Sequence, residues 1–311
     1  MFGLGTANYN YEHFTRNILA KDIMASRAFG RGPRPGERAP DFELRTLQGD
    51  DFRLRNFRGY KNVVLTFGSA TCPMTAGSVA GISRLAQEFG ADEVEFFFIY
   101  VREAHPGDRM PAHSSMAEKI QAAETLRDEE ELESPILVDD LEGAVHRRYG
   151  KLPNPTYIID KSGRVAFRAL WTQPQVIEEA LRQLLAVQHD RDLEHAVVLG
   201  GDDRSMPVSY PALYSYRALH RGGRDAISDF EQSMGLPGKI ALASSRIIGP
   251  VKDNPGKILA GAALGAAVLA GGLYAGRTLR RRRLRTRFPY HTFPISPEEQ
   301  EPGEDYGVVG I

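Results

Sequence analysis

Cys72 is the only cysteine among 311 residues, and it stands in the stretch "FGSATCPMTAG", Phe67 to Gly77. A thiol is a nucleophile only as its thiolate, and an ordinary cysteine titrates at about pH 8.5, so chemistry here requires a site that lowers that value. The surrounding pattern offers one. Cys72 follows a continuous apolar run and opens a helical pattern, a place where unsatisfied backbone N–H groups and the helix dipole favour an anion. Ser69, Thr71 and Thr75 add hydroxyl donors, and Pro73 in the first helical turn costs no hydrogen bond. The competing reading is an inert core cysteine. The strand–turn–helix setting favours the reactive one.

The elements that must hold Cys72 read as one α/β unit from residue 37 to residue 188. "APDFELRTLQGDDFRLRNFRG" gives two short alternating segments around a Gly49–Asp50 turn. "NVVLTF" is a buried-strand run, and the following helix places Val79, Ile82, Leu85, Ala86 and Phe89 on one face before Gly90. "VEFFFIYV" is a second buried strand. A polar-faced helix, the short strand "SPILVDD", a helix closed by Gly150, a hairpin turning at Lys161–Gly163 and a last amphipathic helix complete the unit. Strands alternating with helices imply a mainly parallel sheet, with the late hairpin as an antiparallel edge.

Around this unit the chain divides into an N-terminal extension (1–36) and a segment of mixed character (189–257), read as an extension or linker. An apolar run (258–276) and a basic, then acidic tail (277–311) follow. The N-terminal extension has no apolar stretch long enough for a signal peptide, and a short amphipathic helix is expected around Tyr11–Ala28. Net charge is −1, which gives no general pull toward nucleic acid. A lone cysteine excludes an intramolecular disulfide and suits a reducing compartment. Ile258–Gly276 has 19 residues without a charge and is followed by "RTLRRRRLRTR". That pattern predicts one membrane-spanning helix flanked by arginines, and so a single-pass membrane protein with its catalytic domain toward the cytoplasm.

Six motifs carry a resemblance. "FGSATCP", "EAHP" (Glu103–Pro106) just after Tyr100, and His113 ahead of "EKIQAAETL" occur in order. "PILVD", "YGKLP" and "TYIID" follow them. Together they make the segment from Gly36 to Gln188 resemble a thioredoxin-fold redoxin, and more closely the iodothyronine deiodinase family, with Cys72 at the selenocysteine position. The resemblance implies a thioredoxin-like α/β sandwich in which Pro153 or Pro155 is a cis-proline facing Cys72. It implies an oxidoreductase that removes iodide from an iodinated aromatic, thyroxine-like substrate. Cys72 attacks iodine, His105 with Glu103 supplies or relays the proton, and His113 is a second relay or a substrate contact. Histidine titrates close enough to neutrality for that work. Ser69, Thr71 and Tyr100 are the implied substrate contacts. No metal and no bound cofactor is expected.

Several positions depart from the family. Sulfur replaces selenium, which predicts a slower reaction. The auxiliary cysteines of the family are here Ala70 and Ser134, so an external thiol, or Cys72 of a second copy in a homodimer, has to resolve an oxidised Cys72. The family's substrate-gripping positions fall at Asn154 and near Trp171. A one-cysteine peroxiredoxin is the alternative: Ser69 fits its hydroxyl position, whereas Leu65 stands where its proline belongs. A non-catalytic thioredoxin-fold module is the third reading.

Overall fold

The computed structural model describes residues 9–21, 32–90, 93–189, 195–249 and 288–294. Its centre is a seven-stranded sheet in the order β2-β1-β5-β4-β3-β6-β7. The strands are β1 (Glu43–Thr46), β2 (Asp51–Arg53), β3 (Asn62–Gly68), β4 (Val94–Tyr100), β5 (Ile136–Val138), β6 (Thr156–Ile159) and β7 (Val165–Ala169). β3, β4 and β5 run parallel. β6 and β7 continue antiparallel on one side, and β1 and β2 close the other. The parallel centre with its antiparallel β6–β7 hairpin is the thioredoxin-like arrangement expected. Both tight turns lie where the sequence puts them, at Gly49 (φ +95°) and Gly163 (φ +80°), in the left-handed region glycine reaches without penalty.

Alternate residues of the buried strands serve different cores. Val63, Leu65 and Phe67 of β3, with Phe97 and Ile99 of β4, face Phe42, Phe52, Val145 and Tyr149. Val64 and Phe96 face Ile82 and Leu85 of helix α1 (Pro73–Phe89), and Ile177, Leu181 and Leu184 of a later helix, α4 (Pro174–His189). Phe98 and Tyr100 pack on Ala122, Ala123 and Leu126 of α2 (Met116–Glu130). α3 (Ala144–Arg148) lies between β5 and β6 in the chain. With both faces covered, these strands read as continuous apolar runs rather than alternating ones.

The segment 189–257 is more structured than its broken apolar pattern suggested. It holds β8 (His195–Leu199), paired antiparallel with β9 (Tyr290–Pro294), and three helices: α5 (Ser209–Gly222), α6 (Arg224–Met234) and α7 (Leu236–Ile248). The helices share a small core of Leu219, Phe230 and Leu242, and α5 packs on α1. At the other end of the chain only residues 16–21 of the expected N-terminal helix are helical among those described; residues 11–15 are not, and 22–28 lie outside the described residues.

Two expectations are corrected. No helix among the described residues is long and apolar enough to cross a membrane. Ile258–Gly276 and its arginine flank lie outside the described residues, so the membrane span, and the single-pass localisation that rested on it, are without support. Among the described residues there is also no cis peptide bond, so neither Pro153 nor Pro155 is the cis-proline expected opposite Cys72.

Candidate active site

Cys72 is the N-cap residue of α1, with Pro73 in the first turn, so the strand–turn–helix reading holds at atomic detail. Its N–H donates to Ser69 O at 3.3 Å, and its carbonyl accepts from Ala76 N at 3.1 Å. The side chain is buried at 3% exposure. Burial is the largest influence on the thiol and pushes its pKa up; hydrogen bonds from Thr75 and Met74 pull it down, and the nearby Glu103 carboxylate pushes it up again. The net direction is upward, opposite to the sequence expectation. The helix terminus does favour the anion, but in this closed arrangement desolvation outweighs it.

Beside Cys72 lies a buried network centred on Glu103. Thr71 donates to Glu103 Oε2 twice, from its backbone N–H at 3.0 Å and its hydroxyl at 2.6 Å. Tyr100 donates its hydroxyl to Oε1, and His113 Nε2 lies 3.2 Å from the same oxygen. Burial alone would raise the Glu103 pKa. The hydrogen bond and charge of His113, with the hydroxyls of Thr71 and Tyr100, outweigh it and hold the carboxyl below its usual range. A fully buried carboxylate stays ionised only with such saturation of its oxygens.

His105 is placed differently. Its N–H donates to Thr71 Oγ1 at 3.0 Å, so it is tied to the residue next to Cys72, but its ring makes no hydrogen bond to Glu103. The ring lies edge-on between Phe14, with centroids 4.3 Å apart, and Phe230, at 5.3 Å. Burial drives its pKa down to about 3, against a smaller upward pull from Glu103, and its Nδ1 is buried without a hydrogen-bond partner. In this closed arrangement the imidazole is a neutral, weak base with one uncommitted nitrogen, and only relief of the burial brings its pKa back toward the range useful for proton transfer.

The three expected substrate contacts sit inside this framework. Ser69 Oγ accepts from Ala104 N at 3.1 Å, Tyr100 Oη accepts from Ala70 N at 3.2 Å, and the Thr71 hydroxyl is bonded to Glu103. All three are at most 1% exposed. The structure therefore gathers Ser69, Thr71, Tyr100, Glu103 and His113 into one network next to Cys72, with His105 joined through Thr71. Asn154 is fully buried and donates to Phe67 O at 2.9 Å, while its Oδ1 accepts from Thr172 N; it ties the start of β6 to the end of β3. Trp171 bridges to Asn154.

Sequence reasoning missed the residues that cover the site. Arg221 of α5 donates to Ala70 O at 2.9 Å and to Glu129 and Glu130 of α2. A Cβ at Gly222 would clash with His105 O at 2.6 Å, so only glycine lets α5 approach this closely. Tyr210 lies against Gly77 of α1 in the same way. Phe14 and Phe230 flank His105, and Tyr9 is buried with its hydroxyl 2.8 Å from His146 Nδ1. Lys119 is also buried; desolvation pulls its pKa down to about 8 while Asp139, Asp140 and Glu103 oppose, and it donates to Asp140 O. Arg221, Gly222, Tyr210, Phe14, Phe230 and Tyr9 stand in no motif, and the "RG" at Arg221–Gly222 is the one local signal of a helix end among them. Among the described residues no three His, Cys, Asp or Glu side chains gather in a way that could hold a metal ion.

Comparison with known proteins agrees with the motif reading. Residues 35–168, which contain every expected site residue, match the AhpC/TSA family. The chain is 30% identical over 144 residues to thyroxine 5-deiodinase of Gallus gallus, covering 43% of this chain and 55% of that protein. It is 27% identical over 142 residues to type I iodothyronine deiodinase of Xenopus laevis, with the same two coverages. The chain thus spans about half the length of the curated relatives it matches. Among solved structures, peroxidoxin BcpB of Mycobacterium tuberculosis aligns at 21% identity and a TM-score of 0.39, covering 50% of this chain and 99% of that one. In its AhpC/TSA-matching segment and its motifs, the chain is similar to redoxins in general and to the iodothyronine deiodinases in particular.

Proposed function

We propose that this chain is a thiol-dependent oxidoreductase that removes iodide reductively from an iodinated aromatic substrate of the thyroxine type. The observation that carries the reading is the buried hub of Glu103, which joins Thr71 next to Cys72, Tyr100 and His113 in one network. In the step this supports, the Cys72 thiolate attacks iodine and the carbon–iodine bond breaks. The ring carbon takes a proton through His105 or the Glu103–His113 pair, leaving Cys72 as a sulfenyl iodide. One external thiol then displaces iodide to form a mixed disulfide. A second releases Cys72 as thiol and leaves the external pair as a disulfide, so two thiols supply the two electrons. Glu103 holds charge at the centre of the network, and His105, neutral and uncommitted at Nδ1, is placed to move the proton.

The relatives named for thyroxine lend the substrate class, and Asn154 and Trp171 mark where this chain has built structure instead of the family's substrate grip. The match to the AhpC/TSA family favours a second reading, peroxide reduction by Cys72 as a one-cysteine peroxidase. One experiment separates the two: iodide release from an iodinated phenol with dithiothreitol present, set beside hydrogen peroxide consumption. Iodide release that vanishes in Cys72→Ala supports the first reading. Undiminished release in that variant refutes it, and peroxide consumption without iodide release favours the second.

A further inference from the structure

Cys72, Glu103, His105 and His113 are all at least nine-tenths buried, so an aromatic substrate cannot reach the thiol without a part of the protein moving. Two parts cover the site, and they are held very differently. The helical cap is fixed by Arg221, itself buried against Ala70 and Glu130, and by the close approach of Gly222 to the His105 carbonyl. The N-terminal segment is anchored at Tyr9, which is buried, bonded to His146, and has its carbonyl accepting from Arg102 at 2.8 Å. Beyond that anchor its ties are exposed or only half-buried, and the Tyr11 ring also lies 4.7 Å from the Arg102 guanidinium. His13 pairs with Asp229 at 3.0 Å and Arg16 donates to Gln232 O at 3.1 Å, both at exposed positions. Ser233 donates to Phe14 O at 2.9 Å and Tyr11 to Ala104 O at 2.7 Å. Segments held by exposed polar bonds open at lower free-energy cost than those locked by buried ones.

Phe14 is the one buried apolar side chain of residues 11–16, at 6% exposure, and it lies edge-on to His105, as Phe230 does. We propose that residues 11–16 are a hinged strap that gates Cys72, with the Phe14 ring standing in for the flat aromatic group that replaces it beside His105 when the strap swings out. Both Phe14 and Phe230 lie outside residues 35–168, so the gate is built from this chain's extensions rather than from the redoxin segment. The identity of the entering group as an aromatic ring rests on the proposed function; the gate itself does not.

Cys72 is the only thiol, so maleimide labelling of the full chain reads one atom. N-phenylmaleimide and N-cyclohexylmaleimide present a flat and a puckered ring of equal size, and each rate is divided by that reagent's rate with glutathione. Phe14→Ala is expected to speed labelling by N-phenylmaleimide about tenfold, and by N-cyclohexylmaleimide clearly less. The double variant Arg16→Ala, Asp229→Asn, which unties the strap without touching an apolar core, is expected to move in the same direction. Leu242→Ala, which loosens the helical cap, is expected to stay near the wild-type rate. Unchanged labelling in both strap variants, or equal acceleration by Leu242→Ala, overturns the gate. Equal acceleration by the two maleimides overturns the flat-ring stand-in. Labelling involves no iodide, so absence of iodide release in every variant sinks the proposed function while leaving these rates to decide the gate.

Discussion

Thr71 gives both its backbone N–H and its hydroxyl to one oxygen of Glu103, Oε2, at 3.0 and 2.6 Å. The same hydroxyl accepts the backbone N–H of His105 at 3.0 Å. A single side-chain oxygen next to Cys72 therefore fixes both the ionised carboxylate and the histidine loop. Thr71→Val keeps the shape and removes the hydroxyl. It withdraws a hydrogen bond from a buried charge and leaves the His105 N–H without its acceptor, a loss of about 2–3 kcal/mol. Urea unfolding should show it as a lower midpoint with an unchanged slope. A midpoint within error of the wild type would mean that water replaces the hydroxyl.

The thiol of Cys72 is pushed upward by burial, with Glu103 adding to it against the hydrogen bonds of Thr75 and Met74. Its thiolate is therefore scarcer at neutral pH than that of an ordinary cysteine. Ionisation should be followed by the thiolate absorbance near 240 nm, with Cys72→Ala as the blank. The midpoint is expected above that of glutathione in the folded chain and near it in denaturant. Glu103→Gln removes the opposing charge and should lower the folded midpoint. A folded midpoint below that of the denatured chain would contradict the closed geometry.

Much of this fold could be read from residue patterns because the patterns record burial directly. "NVVLTF" and "VEFFFIYV" are apolar throughout since both faces of β3 and β4 are covered, and Gly49 and Gly163 mark turns that need positive φ. The gathering of the candidate residues was legible for the same local reason: Cys72, Thr71, Glu103 and His113 lie in short motifs around the C-terminal ends of adjacent parallel strands. The covering of the site was not legible. Arg221, Phe230 and Phe14 reach it from more than a hundred residues away or from the opposite end of the chain, and a lone Phe or Arg carries no periodic signal. The direction of the Cys72 shift was misread for that reason, since the helix terminus is visible in sequence and the desolvating cap is not.

His105 is held neutral by burial, with a pKa of about 3 in the folded chain against an ordinary value of about 6.5 when unfolded. The unfolded chain thus binds a proton that the folded chain refuses between those two values. The stability that follows from the neutral ring is fully present above about pH 6.5 and is lost as pH falls toward 3, at up to roughly 1.4 kcal/mol per pH unit. His105→Phe should flatten the fall in unfolding free energy between pH 6.5 and 4. Parallel curves for the two proteins would show that the ring is solvated.

Arg221 joins the helical cap to the redoxin segment through Ala70 O, Glu129 and Glu130. The Arg221 side chain is 4% exposed and that of Glu130 6%, so the pair is desolvated on both sides, and a single truncation strands the other charge. Arg217, 3.3 Å from the same Glu130 oxygen, offers partial compensation. Arg221→Ala should therefore cost about 3 kcal/mol, the low end of the range for breaking a buried pair. Replacing both partners, as in Arg221→Met with Glu130→Leu, should recover part of that loss because neither charge is then left buried alone. The recovery is the decisive reading. If the double variant is as unstable as the sum of its single changes, the pair does not act as a unit, and the cap is held by Tyr210 on α1 and by Gly222 against the His105 carbonyl instead.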